Sequence, residues 1–348
     1  MTRNKPTIFD VARKAGVGIG TVSRVLNGAP NVKQATRERV LQVIEELGYR
    51  PSHAARQLAT SRTFTIGVIV PFITRAFFVE VLRGVEQVIA GTAYNLVIYN
   101  VETPRQRAYY LEQLPFLGRI DGLLIISLPL RQRDVEQLLR NGPPTVLIDE
   151  YHPALTSVQS DNTAGARMAI EHLLRLGHER IAVIGDTLNH PLGFRINRER
   201  LGSYRRTLEL HHIAVRDEYQ RWSEEYGREG GKLLANELLS LTERPTAIFA
   251  LNDMMALGVL EAARDAAIQV PQDLAVIGYD DIELASYLNL TTVRQPMSEM
   301  GRRGATLLLN ILADGSEQVI HQRLPVELVI RGTTAPSSKQ QAHSSAQE

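Results

Sequence analysis

Thr7-Ile8-Phe9-Asp10-Val11-Ala12-Arg13-Lys14-Ala15-Gly16-Val17-Gly18-Ile19-Gly20-Thr21-Val22-Ser23-Arg24-Val25-Leu26-Asn27-Gly28 is the stretch on which the reading of this 348-residue chain turns. Ile8, Val11, Ala12 and Ala15 recur at i, i+3, i+4 and i+7, so they predict a helix with one apolar face. Gly16 ends it where a left-handed backbone is cheap. Val22, Val25 and Leu26 give the inner face of a second short helix. Thr21, Ser23, Arg24 and Asn27 fall off that face, a residue mix that donates hydrogen bonds to phosphates and base edges. A third helix is expected from about Gln34 to Leu47, with Val40, Leu41, Val43, Ile44 and Leu47 apolar and Gly48 as its stop.

The plain alternative is a small helical bundle with a solvated basic face, and charge argues against it. Residues 1–62 hold 11 Lys and Arg against 4 Asp and Glu, while the rest of the chain holds 28 against 34, so the overall net of +1 conceals a basic head on an acidic body. Such asymmetry is the footprint of a polyanion-binding segment.

From Phe64 onward the period changes. Thr65–Val70, Asn95–Tyr99, Gly122–Ile126 and Thr145–Ile148 are short apolar runs between helical stretches, the pattern of strands buried on both faces of a parallel sheet. Ile181–Ile184, Ala247–Leu251 and Leu274–Ile277 form a second set, alternating with helices expected near Thr163–Leu176, Glu224–Leu241 and Met254–Ala267. Two doubly wound lobes account for roughly 270 residues better than one, because single cores stop growing near that size. The fold class is therefore an all-α helix-turn-helix head plus an α/β body of two parallel-sheet lobes.

Enzyme motifs fail individually. Gly16-Val17-Gly18-Ile19-Gly20-Thr21 lacks the third glycine of a dinucleotide loop and follows a helix, and Gly227-Arg228-Glu229-Gly230-Gly231-Lys232-Leu233 lacks phosphate-loop spacing. With no cysteine, and only the adjacent His211-His212 expected on different sides of a helix, neither metal nor cofactor is expected. The start Met1-Thr2-Arg3-Asn4-Lys5-Pro6 has no apolar signal region, and no apolar stretch of about twenty residues follows. A cytoplasmic protein without membrane contact is expected.

Ile8-Phe9-Asp10-Val11-Ala12, Thr21-Val22-Ser23-Arg24-Val25-Leu26-Asn27-Gly28 and Glu45-Glu46-Leu47-Gly48-Tyr49 together resemble the lactose-repressor/galactose-repressor (LacI/GalR) family of bacterial transcription regulators. The resemblance covers nearly the whole chain and implies a periplasmic-binding-protein-like body with three chain crossings between lobes. It implies phosphate contacts by Thr21, Ser23 and Asn27 and a base contact by Arg24, and it places Ile19 and Gly20 where members vary to choose operators. Thr7, Tyr49, His53 and Ala55 also fall on its DNA side. Gly18 and Lys33 stand where the family usually has Ser or Thr helix caps.

Pro51–Arg62 is a short helical pattern behind a proline. Read alone, so short a helix does not hold in water and the segment is a linker. The resemblance makes it a hinge helix that folds on DNA, with Leu58 as a minor-groove wedge and Ala54 and Ala55 allowing two hinges to approach. The expected organisation is a head at 1–50, a hinge at 51–63, and an effector-binding and dimerisation body at 64–335, with a disordered tail at 336–348. Within the body the first lobe takes about 64–163 and 295–325, and the second about 164–294 and 326–335.

Polar residues gather after the strands, where ligands of open parallel sheets sit. The resemblance assigns Phe78 as an aromatic platform, Asn252 and Asp280 as a hydroxyl-binding pair, Arg200 as a clamp and Trp222 as a second ring, with Asp149 a further candidate. One of Phe77 and Phe78 is expected in the core. Asp253 and Asp281 read as caps, and the Asp280-Asp281 side chains are expected to point apart. His190, Arg195, Asn197 and Arg198 read either as a loop over the ligand or as solvated. His178 reads as a structural turn.

Rings with Asn, Asp and Arg fit a polyhydroxylated sugar. A purine or nucleoside effector is the alternative, and a sugar-binding protein without a regulatory role a further one. A homodimer on pseudo-palindromic operator DNA follows because one head reads few base pairs. The family's dimer helices correspond to Phe78–Ala90 and Tyr110–Leu117. Leu58→Ala is expected to weaken operator binding and abolish DNA bending with effector binding intact. A gel-shift affinity equal to the parent's removes the hinge assignment.

Overall fold

The side chain of Thr7 accepts a hydrogen bond from the backbone N–H of Asp10, and Asp10 Oδ2 accepts from the backbone N–H of Thr7 at 2.9 Å. This reciprocal cap starts α1 (Ile8–Ala15), and Gly16 at φ 62° ends it by returning its N–H to Ala12 and Arg13. The chain turns into α2 (Ile19–Leu26) and then α3 (Gln34–Leu47), whose N-cap Lys33 makes no side-chain cap bond. Val11, Ala12, Ala15, Val22, Val25, Val40, Val43 and Tyr49 form the shared core. Leu41 does not join it and is 48% exposed.

The computed structural model describes residues 6–26, 29–49 and 62–335. The chain divides into two compact units, Met1–Phe64 and Thr65–Glu348. Asn27, Gly28, His53, Ala54, Ala55, Leu58 and the tail 336–348 lie outside the described residues. Among the described residues no helix is long and apolar enough to cross a membrane.

The second unit carries two six-stranded sheets. One has the order β11-β5-β4-β3-β1-β2, with β1 (Thr65–Pro71), β2 (Asn95–Val101), β3 (Gly122–Ile126), β4 (Thr145–Ile148), β5 (Thr156–Ser160) and β11 (His321–Leu324). The other has the order β12-β10-β9-β8-β6-β7, with β6 (Ile181–Asp186), β7 (Gln220–Ser223), β8 (Ala247–Ala250), β9 (Ala275–Asp280), β10 (Thr291–Arg294) and β12 (Glu327–Val329). Pairing is parallel throughout except between β10 and β12.

Connecting helices follow in chain order: α4 (Ala76–Ile89), α5 (Pro104–Glu112), α6 (Gln132–Asn141), α7 (Asn162–Arg175), α8 (Ile196–Leu210), α9 (Arg228–Leu239), α10 (Asp253–Asp265), α11 (Glu283–Tyr287) and α12 (Met297–Asp314). The chain passes between lobes after β5, after β10 and between β11 and β12.

Two expectations change. β2 was expected to be buried on both faces, but it is the edge of its sheet, with Val97 and Ile98 37% and 39% exposed. His211 and His212 lie past the end of α8 rather than on it, with His212 in a left-handed turn.

α4 and α12 pack backbone to backbone because each offers a glycine at the crossing. A Cβ on Gly84 would lie 1.8 Å from the Ser298 carbonyl oxygen, and one on Gly301 would lie 2.0 Å from that of Val81. Gly301→Ala is therefore expected to destabilise the body by about 1–3 kcal/mol. Gly91→Ala, in open space, should leave the urea midpoint where it is.

Candidate functional site

Strand order reverses between β1 and β3 in the first sheet and between β6 and β8 in the second. Such reversals leave a crevice at the carboxyl ends of the strands, where the outgoing connections part to opposite faces. Both crevices contribute to one cleft. Arg75, Phe77 and Phe78 enter from beyond β1, Ser127 from beyond β3 and Asp149 from beyond β4. From the second lobe come Asp186, Asn252 and Asp280, with Asn197 and Arg200 on α8 and Tyr226 beyond β7.

The backbone turns sharply to present these groups. Phe72, Ser127, Asp149 and Asp280 all have positive φ, at 43°, 49°, 57° and 113°. None is glycine, and each such residue costs about 1–3 kcal/mol, which the packed strands behind it must absorb.

Arg200 is buried. Its Nε and Nη2 donate to Asn162 Oδ1 at 3.0 and 2.9 Å, and its Nη1 donates to the Leu251 carbonyl at 2.5 Å. Its plane lies on the Tyr279 ring, 3.5 Å from the centroid. Asp280 Oδ1 is 3.8 Å from Nη2 and accepts a hydrogen bond from Gln295 Nε2 at 2.7 Å. Burial pushes the Asp280 carboxyl up to about 6 against the pull of Arg200. Asp149 accepts from Ser127 Oγ at 2.6 Å, and burial raises it further, to about 7. Asp186 is also raised by burial, and its Oδ1 accepts from Asn252 Nδ2 at 3.2 Å. That bond spans the second lobe's crevice, while Asn252 Oδ1 caps α10 by accepting from Met255.

The lobes are shut over the site. Leu192 and Phe194, from the segment between β6 and α8, pack into an apolar cluster of the first lobe. Ile282, following β9, joins another. His190 stacks on Phe194 with ring centroids 4.6 Å apart, and both rings meet Phe72 edge-on. The deep cavity is only about 90 Å³, below the few hundred Å³ usual for ligand sites. A sugar-sized ligand needs more room than this, which the lobes provide by parting. A wider cavity of about 530 Å³ beside the first chain crossing shares Asp149 and Ile196 with it.

Phe78, Asp149, Arg200, Asn252 and Asp280 are thus brought to one cavity, and Asn197 joins them. Trp222 is not on its wall. It lies within β7 with its ring against Gly185 and the second lobe's core, and the ring on the wall is that of Tyr226. Arg75, Asp186 and Tyr226 escaped the sequence reading. Asp186 was within reach of it, since it stands at the carboxyl end of an apolar run. Asp281 points away to Arg294 and Arg331, both at 2.7 Å. Asp253 is the first residue of α10 rather than its cap, and it accepts from the Ile282 N–H and the Thr292 hydroxyl. Arg198 bonds Asn189 and Arg195 is exposed. His178 holds Thr246 and the Ala335 carbonyl at 3.0 and 2.9 Å.

In the head, Ile19, Gly20 and Arg24 are exposed on α2, and Thr21 and Ser23 are half-buried. The Thr7 side chain is engaged in its cap. Tyr49 is 7% exposed and belongs to the helical core, where burial raises its phenol.

A model of bacterial regulatory proteins of the lacI family matches residues 7–52, and a periplasmic binding protein-like domain matches 170–334. The chain is 36% identical over 332 residues to catabolite control protein A of Priestia megaterium, covering 94% of this chain and 99% of that one. It belongs to the lacI family. The ribose operon repressor of Escherichia coli (strain K12) matches at the same identity and coverage. The lac repressor dimer bound to operator and the anti-inducer ONPF superposes with a TM-score of 0.83 at 28% identity, over 95% of this chain and 100% of that one.

For this lacI-family body the raised Asp149 carboxyl gives a pH signature. Its proton is held more tightly in the folded than in the unfolded chain, so its contribution favours folding at low pH and is lost as pH rises from about 4 to about 7. Urea midpoints of Asp149→Asn should therefore gain on the parent's across that window and run parallel above it. Parallel curves throughout would show that Asp149 ionises normally.

Proposed function

We propose that the chain is a transcriptional regulator that binds pseudo-palindromic operator DNA as a homodimer through its helix-turn-helix head and takes a small sugar in the cleft of its body. The observation carrying this reading is the cleft's lining. Three carboxylates, two guanidiniums, two side-chain amides and the rings of Phe77, Phe78, Phe194 and Tyr226 converge on one cavity. Carboxylates and amides suit a hydroxyl rim, and rings suit the apolar faces of a pyranose or furanose.

Switching follows from closure. Both lobes contribute walls, so a bound sugar has different affinities for open and closed arrangements, and by linkage operator and sugar alter each other's affinity by one factor. The α2 face with Ile19, Gly20, Thr21, Ser23 and Arg24 is the reading surface. Thr7 contributes at the start of α1, with Asn27, His53, Ala55 and Leu58 beyond it, while Tyr49 acts as core support.

Dimerisation through the first lobe is supported by exposed apolar residues on neighbouring elements, namely Val79 on α4, Val97 and Ile98 on β2, Tyr109 on α5, and Phe116 and Leu117 just after it. A sheet edge left open with apolar side chains needs a cover. Such a regulator acts in the cytoplasm and needs no catalytic group.

The test is selection of genomic fragments on the purified protein, followed by anisotropy titration of the winner. Affinity should fall by about a thousandfold between 50 and 200 mM salt, as for six or more neutralised phosphates. It should fall at least tenfold on Arg24→Ala and shift on addition of one member of a sugar panel. A nucleoside shifting it where no sugar does would reassign the effector.

A further inference from the structure

Arg75 reaches from the turn between β1 and α4 to the opposite lobe. Its Cζ lies 3.9 Å from the centroid of the Phe72 ring and 3.6 Å from that of Tyr226. Phe72 belongs to the first lobe and Tyr226 to the second, so the guanidinium joins rings from both lobes. Both rings lie against it at cation–π distance. A ring face accepts no in-plane N–H hydrogen bond, so its five N–H groups need acceptors at its edge.

That edge is at the wall of the deep cavity. The other charged groups on this wall have partners: Arg200 has Asn162 and the Leu251 carbonyl, Asp149 has Ser127, Asp186 has Asn252 and Asp280 has Gln295. Among the described residues no hydrogen bond or ion pair takes up the Arg75 guanidinium, and Asp186 attracts it only at longer range. A half-buried guanidinium without acceptors is expensive. The unmet demand of the cavity is therefore concentrated at one edge, and it is for a planar, negatively charged acceptor.

Resting on the sugar reading above and sharpening it, we propose that Arg75 is the carboxylate subsite of the effector, which is a sugar acid of the aldonate or uronate type. Two carboxylate oxygens match two parallel N–H groups, which one hydroxyl oxygen cannot do. The hydroxyls of the same ligand face Asp149, Asp186 and Asp280. A phosphate, with up to two charges, suits a cavity with three carboxylates less well. Because the clasp joins the lobes, the carboxylate that fills it also holds the closed arrangement.

The experiment uses the full chain and calorimetric titration of matched sets: glucose, gluconate, glucuronate and glucose 6-phosphate, the corresponding galactose set, and ribose with ribonate. In the set that binds, the acid should be at least thirtyfold tighter than the neutral sugar. Arg75→Gln should reduce that preference below threefold, because the acid loses far more affinity than the neutral sugar does. Arg75→Lys, with charge but no fork, should fall between, and it serves if the Gln variant does not fold. A neutral sugar or a phosphate binding as tightly as its acid partner overturns the carboxylate subsite and leaves the sugar reading standing. Nucleosides binding where none of these sets does removes both.

Discussion

Everything at the centre of the body depends on one buried guanidinium. Arg200 is charged and almost fully enclosed, a state that costs several kcal/mol unless its donors are met. They are met by groups from separate parts of the chain: Asn162 at the first crossing between lobes, the Leu251 carbonyl past β8, and Asp280 at the end of β9, with Tyr279 beneath the plane. The residue thereby fixes where α8 begins. With it are set the aromatic segment ahead of that helix and the spacing of the ends of β8 and β9.

Around that fixed point the cleft is built from unfavourable backbone and favourable side chains. Four residues with positive φ stand at or next to strand ends, and the lobes touch at few places: Leu192 and Phe194 with His190 on one flank, Ile282 and Met254 on the other, and Arg75 against Phe72 and Tyr226. Contacts so limited suit two arrangements of similar free energy. Hinged lobes around a ligand move as rigid bodies, because each sheet with its helices is a close-packed core that does not bend continuously.

The architecture was legible wherever burial was complete. The periodicity of Ile8, Val11, Ala12 and Ala15 and the stop at Gly16 place α1, and the apolar runs mark β1, β3, β4, β6, β8 and β9 because both faces of a central parallel strand are covered. β7, β11 and β12 lie at an edge and β5 and β10 beside one, and they carry polar sequences such as Thr156-Ser157-Val158-Gln159-Ser160, Gln220-Arg221-Trp222-Ser223 and His321-Gln322-Arg323-Leu324, in which no apolar run exists to be seen. β2 misled in the opposite sense, since an edge strand with exposed Val97 and Ile98 reads like a central one. In the site, Asp149, Asn252 and Asp280 are visible as polar residues after apolar runs. Arg75 and Tyr226 are not, because their meeting depends on closure of two lobes separated by some 150 residues of chain. The resemblance offers Trp222 as a second ring for the ligand, yet its place within a strand turns it toward the core beside Gly185.

The last strands have a consequence for synthesis. β11 completes one sheet and β12, three residues later, the other, and Thr333 and Ala335 then bond to Val276 and His178 deep in the second lobe. Neither lobe has its full set of strands until residues 321–335 have left the ribosome, whereas the helical head has all of its partners within the first fifty residues. At about 5–20 residues per second the interval between the two events is roughly 15–60 s. During it the nascent chain carries a finished head and a body whose two sheets are each one strand short.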